Sequence, residues 1–163
     1  MDGKQTDIRG VLIGVTGARL LLPNASVAEV ITYSLPEPVP GAPAWLYGRI
    51  RWRGWRLPLI SFAKMAGLAG TESELGAKVV VLKALGGNPR QPYFAMLTQG
   101  FPRLVTVPAD QLMTSAGEGG DLAPGVLAPV LLRDDEALIP DLAAIEAMVV
   151  EALAASAAQV AAA

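Results

Sequence analysis

The most clustered charged side chains are four arginines within eight residues: Arg49, Arg51, Arg53 and Arg56. The segment reads GRIRWRGWR, so the arginines alternate with apolar residues and glycine. Alternate residues of a β-strand face opposite sides, which predicts that the first three arginines share one face, and Ile50 and Trp52 the other. Guanidinium groups bind carboxylates and phosphates through paired hydrogen bonds. The segment therefore indicates a surface for an acidic partner or a phosphate backbone.

Histidine and cysteine, the residues most used in catalysis and metal binding, are absent from the 163 residues. Their absence excludes disulfide frameworks, zinc sites of the thiolate or imidazole type, thiol nucleophiles and His-based triads. Asp134, Asp135 and Glu136 are adjacent and suit an exposed turn better than a cation site. The glycines of the first 20 residues match no nucleotide-binding loop. We therefore predict a protein that is not an enzyme, with no catalytic residue, no metal site and no cofactor.

Short apolar runs between the 13 prolines and 17 glycines set the fold class. Runs of four to eight residues bounded by turn-forming residues predict many short strands, and hence a sandwich or small barrels. The predicted strands lie at 10–15, 19–22, 27–33, 48–52, 56–62, 78–82, 93–97, 103–107, 126–132 and 137–139. Helix is expected near 62–68 and again after Asp141, which suits an N-cap.

The chain divides near 69–76 into two halves of similar strand density, which we interpret as two subdomains. A proline-rich segment, 35–43, predicts an extended connector. Residues 1–7 are expected to form a polar tail without a signal peptide, and residues 151–163 an alanine-rich helical tail. Because no apolar run reaches the roughly 20 residues of a membrane span, a cytoplasmic protein is expected.

Several motifs between residues 27 and 67 stand in an order that is specific as a combination. They are V-x-E-V at 27–30, P-x-x-P at 40–43, an aromatic–apolar pair at 45–46, Gly48, R-G at 53–54, and P-x-x-x-F at 58–62. This order resembles the CheW-like domain, the coupling module of bacterial chemosensory pathways. In outline the resemblance extends over residues 8–150 and includes the ending of a closing hairpin at Ile139-Pro140-Asp141-Leu142.

The resemblance implies an all-β fold of two small five-stranded SH3-like barrels that share one hydrophobic core, followed by a C-terminal helix. It also implies a non-enzymatic adaptor. Such an adaptor links the cytoplasmic tip of a methyl-accepting receptor to the regulatory domain of a CheA-type histidine kinase. It would bind no nucleic acid and would not insert into a membrane.

Partner-binding residues follow from the same resemblance, position by position. Arg53 and Gly54 match the R-G pair, whose arginine supports receptor coupling. Val27 and Glu29 match partner-facing positions of the V-x-E motif. These four residues form the first part of the expected binding site.

Further positions extend this site and distinguish the chain within the family. Gly48, Val79 and Val80 match positions near the receptor groove. Arg49 and Arg51 replace residues that are usually apolar and Asn, and we count both as partner-binding. This part of the sequence is similar to the divergent ChpC-type proteins of pilus-associated chemosensory systems, which suggests control of twitching motility.

An alternative from another class is a small β-barrel protein that binds nucleic acid through Arg49, Arg51, Arg53 and the nearby tryptophans. Its binding would fall steeply with salt. The distribution of charge argues against it: residues 1–81 carry nine basic and six acidic side chains, and residues 82–163 carry four and nine. With a net charge of −2, the chain has no general attraction for polyanions.

Overall fold

The computed structural model describes residues 7–70, 72–73, 75–87, 89, 91–108, 112–114, 124–132 and 135–162. Most of them lie in two β-sheets. The strands are β1 (Asp7–Val15), β2 (Ala18–Pro23), β3 (Val27–Thr32), β4 (Leu46–Trp52), β5 (Trp55–Ile60), β6 (Ala77–Lys83), β7 (Tyr93–Gln99), β8 (Arg103–Pro108), β9 (Leu112–Thr114), β10 (Val126–Leu132) and β11 (Asp135–Pro140). The helices are α1 (Phe62–Met65) and α2 (Leu142–Ala162).

The first sheet has six strands in the order β8-β1-β2-β11-β10-β9, and the second has five in the order β3-β6-β7-β5-β4. The chain enters the second sheet through a 3₁₀ turn, Asn24–Ser26, and returns to the first after β7. The predicted change of subdomain near 69–76 differs from this topology, because that segment joins α1 to β6 within the second sheet. Equal strand density on both sides of a segment carries no information about which strands pair.

The predicted all-β fold with a C-terminal helix is confirmed. The first sheet contains one strand that was not predicted, β9, whose three residues are too few to give a periodic signal. Asp141 is the expected N-cap, since its Oδ1 accepts a hydrogen bond from the Ala144 amide at 3.0 Å. Of the predicted tail at 1–7, residues 1–6 lie outside the described residues, as does the turn residue Asp134, whereas Asp7 begins β1.

Both sheets bury apolar side chains on both faces. In β6 and β7, Val80 and Met96 face a cluster shared by the two sheets, whereas Val79 and Leu97 face a cluster that belongs to the second sheet. The same alternation occurs in the first sheet, where Leu21 packs in a third cluster and its neighbours in the shared one. Double-sided burial explains why these strands are continuously apolar rather than alternating.

Helix α2 closes the shared cluster with Leu142, Ile145 and Val149. Its later part reaches the proline-rich connector, where the Ser156 hydroxyl donates a hydrogen bond to the Pro40 carbonyl oxygen at 2.6 Å. This hydrogen bond fixes the connector to α2 and hence to the body of the protein.

No helix in the described part of the chain has the length and apolarity needed to cross a membrane.

Replacing Phe94, whose ring is 1% exposed in the shared cluster, should destabilise both sheets together. We expect Phe94→Ala to lower the free energy of unfolding by about 3–5 kcal/mol, because it leaves a cavity where the two sheets meet. Phe101 is 74% exposed and gives a matched control, so Phe101→Ala should change the free energy of unfolding by less than about 0.5 kcal/mol. Urea denaturation followed by circular dichroism measures both. Equal losses for the two variants would contradict the assigned core.

Candidate functional site

The β4–β5 hairpin places Arg53 at its tip. Arg53 and Gly54 have φ values of 48° and 81°, so both adopt the left-handed conformation that two-residue hairpin turns require. Trp52 and Trp55 pair directly across the hairpin. A glycine at position 54 meets this requirement without strain, and the turn directs the arginine out of the strand.

Arg53 contacts Glu29 of β3. Glu29 Oε1 accepts a hydrogen bond from Trp52 Nε1 at 3.1 Å and lies 2.8 Å from Arg53 Nη2. The guanidinium carbon of Arg53 also lies 5.1 Å from the centroid of the Trp52 ring. These three residues form what we call the Glu29–Arg53 corner. It brings together the two charged residues that the family resemblance assigns to partner contact.

The corner joins the two edges of the second sheet. Strands β3 and β4 lie at opposite ends of the strand order and are not paired with each other. The side chains of Glu29, Trp52 and Arg53 therefore connect two strands that no backbone hydrogen bond joins to each other. The ion pair is exposed, with 70% of the Arg53 side chain and 37% of the Glu29 side chain accessible, so its main effect is on orientation rather than stability.

Aromatic packing holds the base of the corner. Trp52 is only 9% exposed, and its ring meets the Tyr93 ring edge-on at a centroid distance of 4.9 Å. Trp55 approaches the same tyrosine at 6.5 Å. A packed indole with a fixed N–H direction keeps the Glu29 carboxylate in place, and Glu29 in turn keeps Arg53 in place.

The register of β3 helps to aim Glu29. The pairing of β3 with β6 shifts between Val27 and Glu29, as at a β-bulge, and such shifts redirect side chains. Val27 itself is half-buried and packs against the shared cluster. Of the two positions in the V-x-E motif that were expected to face a partner, Glu29 is thus the one that offers a charged group at the surface.

The prediction that Arg49, Arg51 and Arg53 share one face holds only for the first two. Strand β4 ends at Trp52, and the left-handed turn carries Arg53 to the other side, where it contacts Glu29 and Trp52. The arginine that joins Arg49 and Arg51 is instead Arg56, which lies directly opposite Arg51 on β5. The alternation rule failed at Arg53 because it applies only within the strand.

Val79 and Val80 are fully buried, which corrects their predicted role as partner contacts. Val79 lies in the second sheet's own cluster and Val80 in the shared cluster. Their side chains shape strand β6 but offer no surface to a partner. Within a run of consecutive valines, the sequence gives no sign of which side chains could be exposed.

Gly48 serves a close approach between two segments. Its φ is 142°, and a methyl group at this position would overlap the Glu37 carbonyl oxygen. Glu37 and Arg49 form two backbone hydrogen bonds, each of 2.8 Å, which attach the proline-rich connector to β4. Glu37 was not among the predicted site residues, and its only signal in the sequence is that it is a single acidic residue in an extended segment close to the arginines.

A second polar group lies below the connector. Burial, and then its hydrogen bond to Glu72 at 2.7 Å, raises the pKa of the Tyr47 phenol well above its ordinary value. The phenol therefore stays protonated, and remains a hydrogen-bond donor, even at alkaline pH where an exposed tyrosine begins to ionise. The Lys64 ammonium covers the Tyr47 ring at 4.7 Å from the centroid. Among the described residues, no group of three acidic side chains comes together to hold a metal ion.

Comparisons with known proteins agree with this architecture. A family model described as the CheW-like domain matches residues 9–148. The scaffolding protein TtCheW from Thermoanaerobacter tengcongensis has a similar fold, with a TM-score of 0.71, over 84% of this chain and 90% of that one. The two sequences are 15% identical, so this likeness concerns the fold alone. No curated protein matches the chain.

Two glycines of the β4–β5 region should respond very differently to an added methyl group. We expect Gly48→Ala to lower the free energy of unfolding by more than about 2 kcal/mol, because it displaces the connector from β4. Gly54→Ala should lower it by only about 1 kcal/mol, since nothing lies within 4 Å of the added methyl group. Urea denaturation of both variants tests this order, and a reversed order would contradict the attachment at Gly48.

Proposed function

The chain belongs to the family of CheW-like domains, scaffold proteins of chemotaxis signalling, and on that premise we propose that it couples receptors to a kinase. In this proposal it connects the cytoplasmic tip of a methyl-accepting receptor with the regulatory domain of a CheA-type histidine kinase, and it acts in the cytoplasm. Proteins of this family are scaffolds rather than enzymes. The observation that carries the proposal is the Glu29–Arg53 corner.

The corner has the properties of a binding hot spot. Arg53 is exposed but oriented by both Glu29 and Trp52, so little conformational entropy is lost when a partner binds. A guanidinium has five N–H donors, and the ion pair with Glu29 leaves donors for a partner's carboxylate or carbonyl groups. Arginine and tryptophan are also the residue types enriched at the energetic centres of interfaces.

The adjoining edge strand β3 extends this surface. It pairs with β6 on one side, and its other side has no partner strand in the described part of the sheet. An edge of this kind can accept backbone hydrogen bonds from a partner. Because the corner and one short strand bury a small area, we expect micromolar affinity for one contact. In an array of many such contacts, avidity would strengthen the assembly.

We further propose that the system controls type IV pili and hence twitching motility. The proposal rests on Arg49 and Arg51, which depart from the usual residues of flagellar coupling proteins and give the chain its similarity to the ChpC type. Both side chains lie on the surface of the β4–β5 hairpin, so the departure alters a surface rather than the core. It is therefore a difference that a different partner could recognise.

Removing the charge of Arg53 should weaken receptor binding without unfolding the protein. We expect Arg53→Gln to lower the affinity for a receptor fragment that contains the cytoplasmic tip by about tenfold, because the exposed guanidinium is lost while Glu29 keeps its bond to Trp52. Isothermal titration calorimetry measures the change. Arg103→Gln, which removes the same charge from the first sheet, is the control. An Arg53→Gln variant that is folded and binds with unchanged affinity would refute the assignment.

A further inference from the structure

The outer face of the β4–β5 hairpin carries three guanidinium groups that the corner does not use. Arg51 lies directly opposite Arg56, and Arg49 is two residues away on the same side of β4. We call these residues the arginine face. Like charges directly opposite each other destabilise an antiparallel pair. A feature that costs stability without any benefit to packing is a sign of a binding surface.

Few acidic side chains in the described part of the chain neutralise this face. Among the described residues, the only carboxylate that pairs with it is that of Glu37, which binds the Arg56 guanidinium. Arg49 is half-buried and Arg51 is exposed, and neither has an acidic partner among those residues. Two positive charges therefore remain for a ligand, and the half-buried one is shielded from solvent and attracts an anion more strongly.

The connector shows which kind of ligand the arginine face accepts. Glu37 lies in an extended segment that pairs with Arg49 through two backbone hydrogen bonds, while its carboxylate reaches Arg56. The chain thus already holds one extended segment, with a single carboxylate, on the edge of β4. A second segment of the same chemistry could place its carboxylates on Arg49 and Arg51.

A groove that is apolar on part of its wall continues from the arginine face. Its apolar part consists of Pro38, Val39 and Pro40 of the connector and Leu153 and Ala157 of α2, and its polar part of Glu37, Arg49, Arg56 and Ser156. The hydrogen bond from Ser156 to Pro40 holds its two walls together. Such a groove can receive an apolar side chain that lies next to the carboxylates of a bound peptide.

A nucleic acid fits this face less well than a peptide. Trp52 and Trp55 are paired with each other, and the strand alternation puts Trp55 on the side opposite Arg56. The tryptophans therefore cannot stack bases that lie on the arginine face.

We propose that the arginine face and this groove form a docking surface, separate from the Glu29–Arg53 corner, for an extended acidic segment of a partner protein. The segment carries at least two carboxylates and one apolar side chain. The inference does not depend on the receptor-coupling proposal, because it concerns the opposite face of the hairpin. It gives the protein two surfaces on one rigid element.

The test is fluorescence polarisation with a labelled ten-residue peptide in which glutamate alternates with leucine and serine. The double variant Arg49→Gln/Arg51→Gln should bind it at least tenfold more weakly. Arg9→Gln/Arg103→Gln removes the same charge from exposed positions of the first sheet and should change the affinity less than twofold. Arg53→Gln should leave it unchanged, which separates this surface from the corner. Thermal unfolding confirms that each variant is folded.

Glu37 provides an independent readout. Glu37→Gln frees Arg56 from its internal partner and should strengthen peptide binding, whereas Glu136→Gln, with the same change of net charge on the first sheet, should not. Equal effects of the two arginine double variants, or binding no tighter than that of a peptide with glutamine in place of glutamate, would overturn the proposal. The proposal would also be overturned if a labelled single-stranded oligothymidine bound more tightly than the peptide and lost affinity in the Arg49→Gln/Arg51→Gln variant.

Discussion

A single apolar cluster between the two sheets is the constraint on which the rest of the fold depends. Strands of both sheets contribute to it, and helix α2 closes it with Ile145 and Val149. Because each sheet also packs a cluster of its own, the central strands bury most of their side chains. Binding groups then lie mainly at turns, on edge strands and the hairpins they form, and on the connector. The corner and the arginine face both occur at such places.

The β4–β5 hairpin is where this constraint produces two separate surfaces. One side of its tip holds Trp52, which is packed on Tyr93, and from there Arg53 reaches Glu29 on the opposite edge of the sheet. The other side presents Arg49 and its neighbours toward the connector. A short hairpin fixed by an aromatic base can thus present two binding surfaces in a constant geometry. A scaffold protein that holds two partners in a defined arrangement benefits from such a geometry.

Most of the strands, the fold class and the cap at Asp141 could be predicted from the sequence, because apolar runs and turn residues are local signals. Strand pairing could not, since the parallel contact between Leu20 and Leu138 joins distant parts of the chain. The R-G motif located Arg53, but strand alternation assigned its side chain to the wrong face of the hairpin, because the left-handed turn ends the alternation. Val79 and Val80 were misjudged because a strand buried on both faces shows no polar side.

The central claim is that partners bind at the Glu29–Arg53 corner, and the indole N–H resonances of the three tryptophans test it most directly. The N–H of Trp52 donates to Glu29, so its chemical shift reports on the corner, whereas Trp45 packs against the shared cluster. On titration with a fragment containing the receptor's cytoplasmic tip, the Trp52 resonance should move saturably and that of Trp45 should stay in place. Binding of the fragment with an unmoved Trp52 resonance would contradict the account.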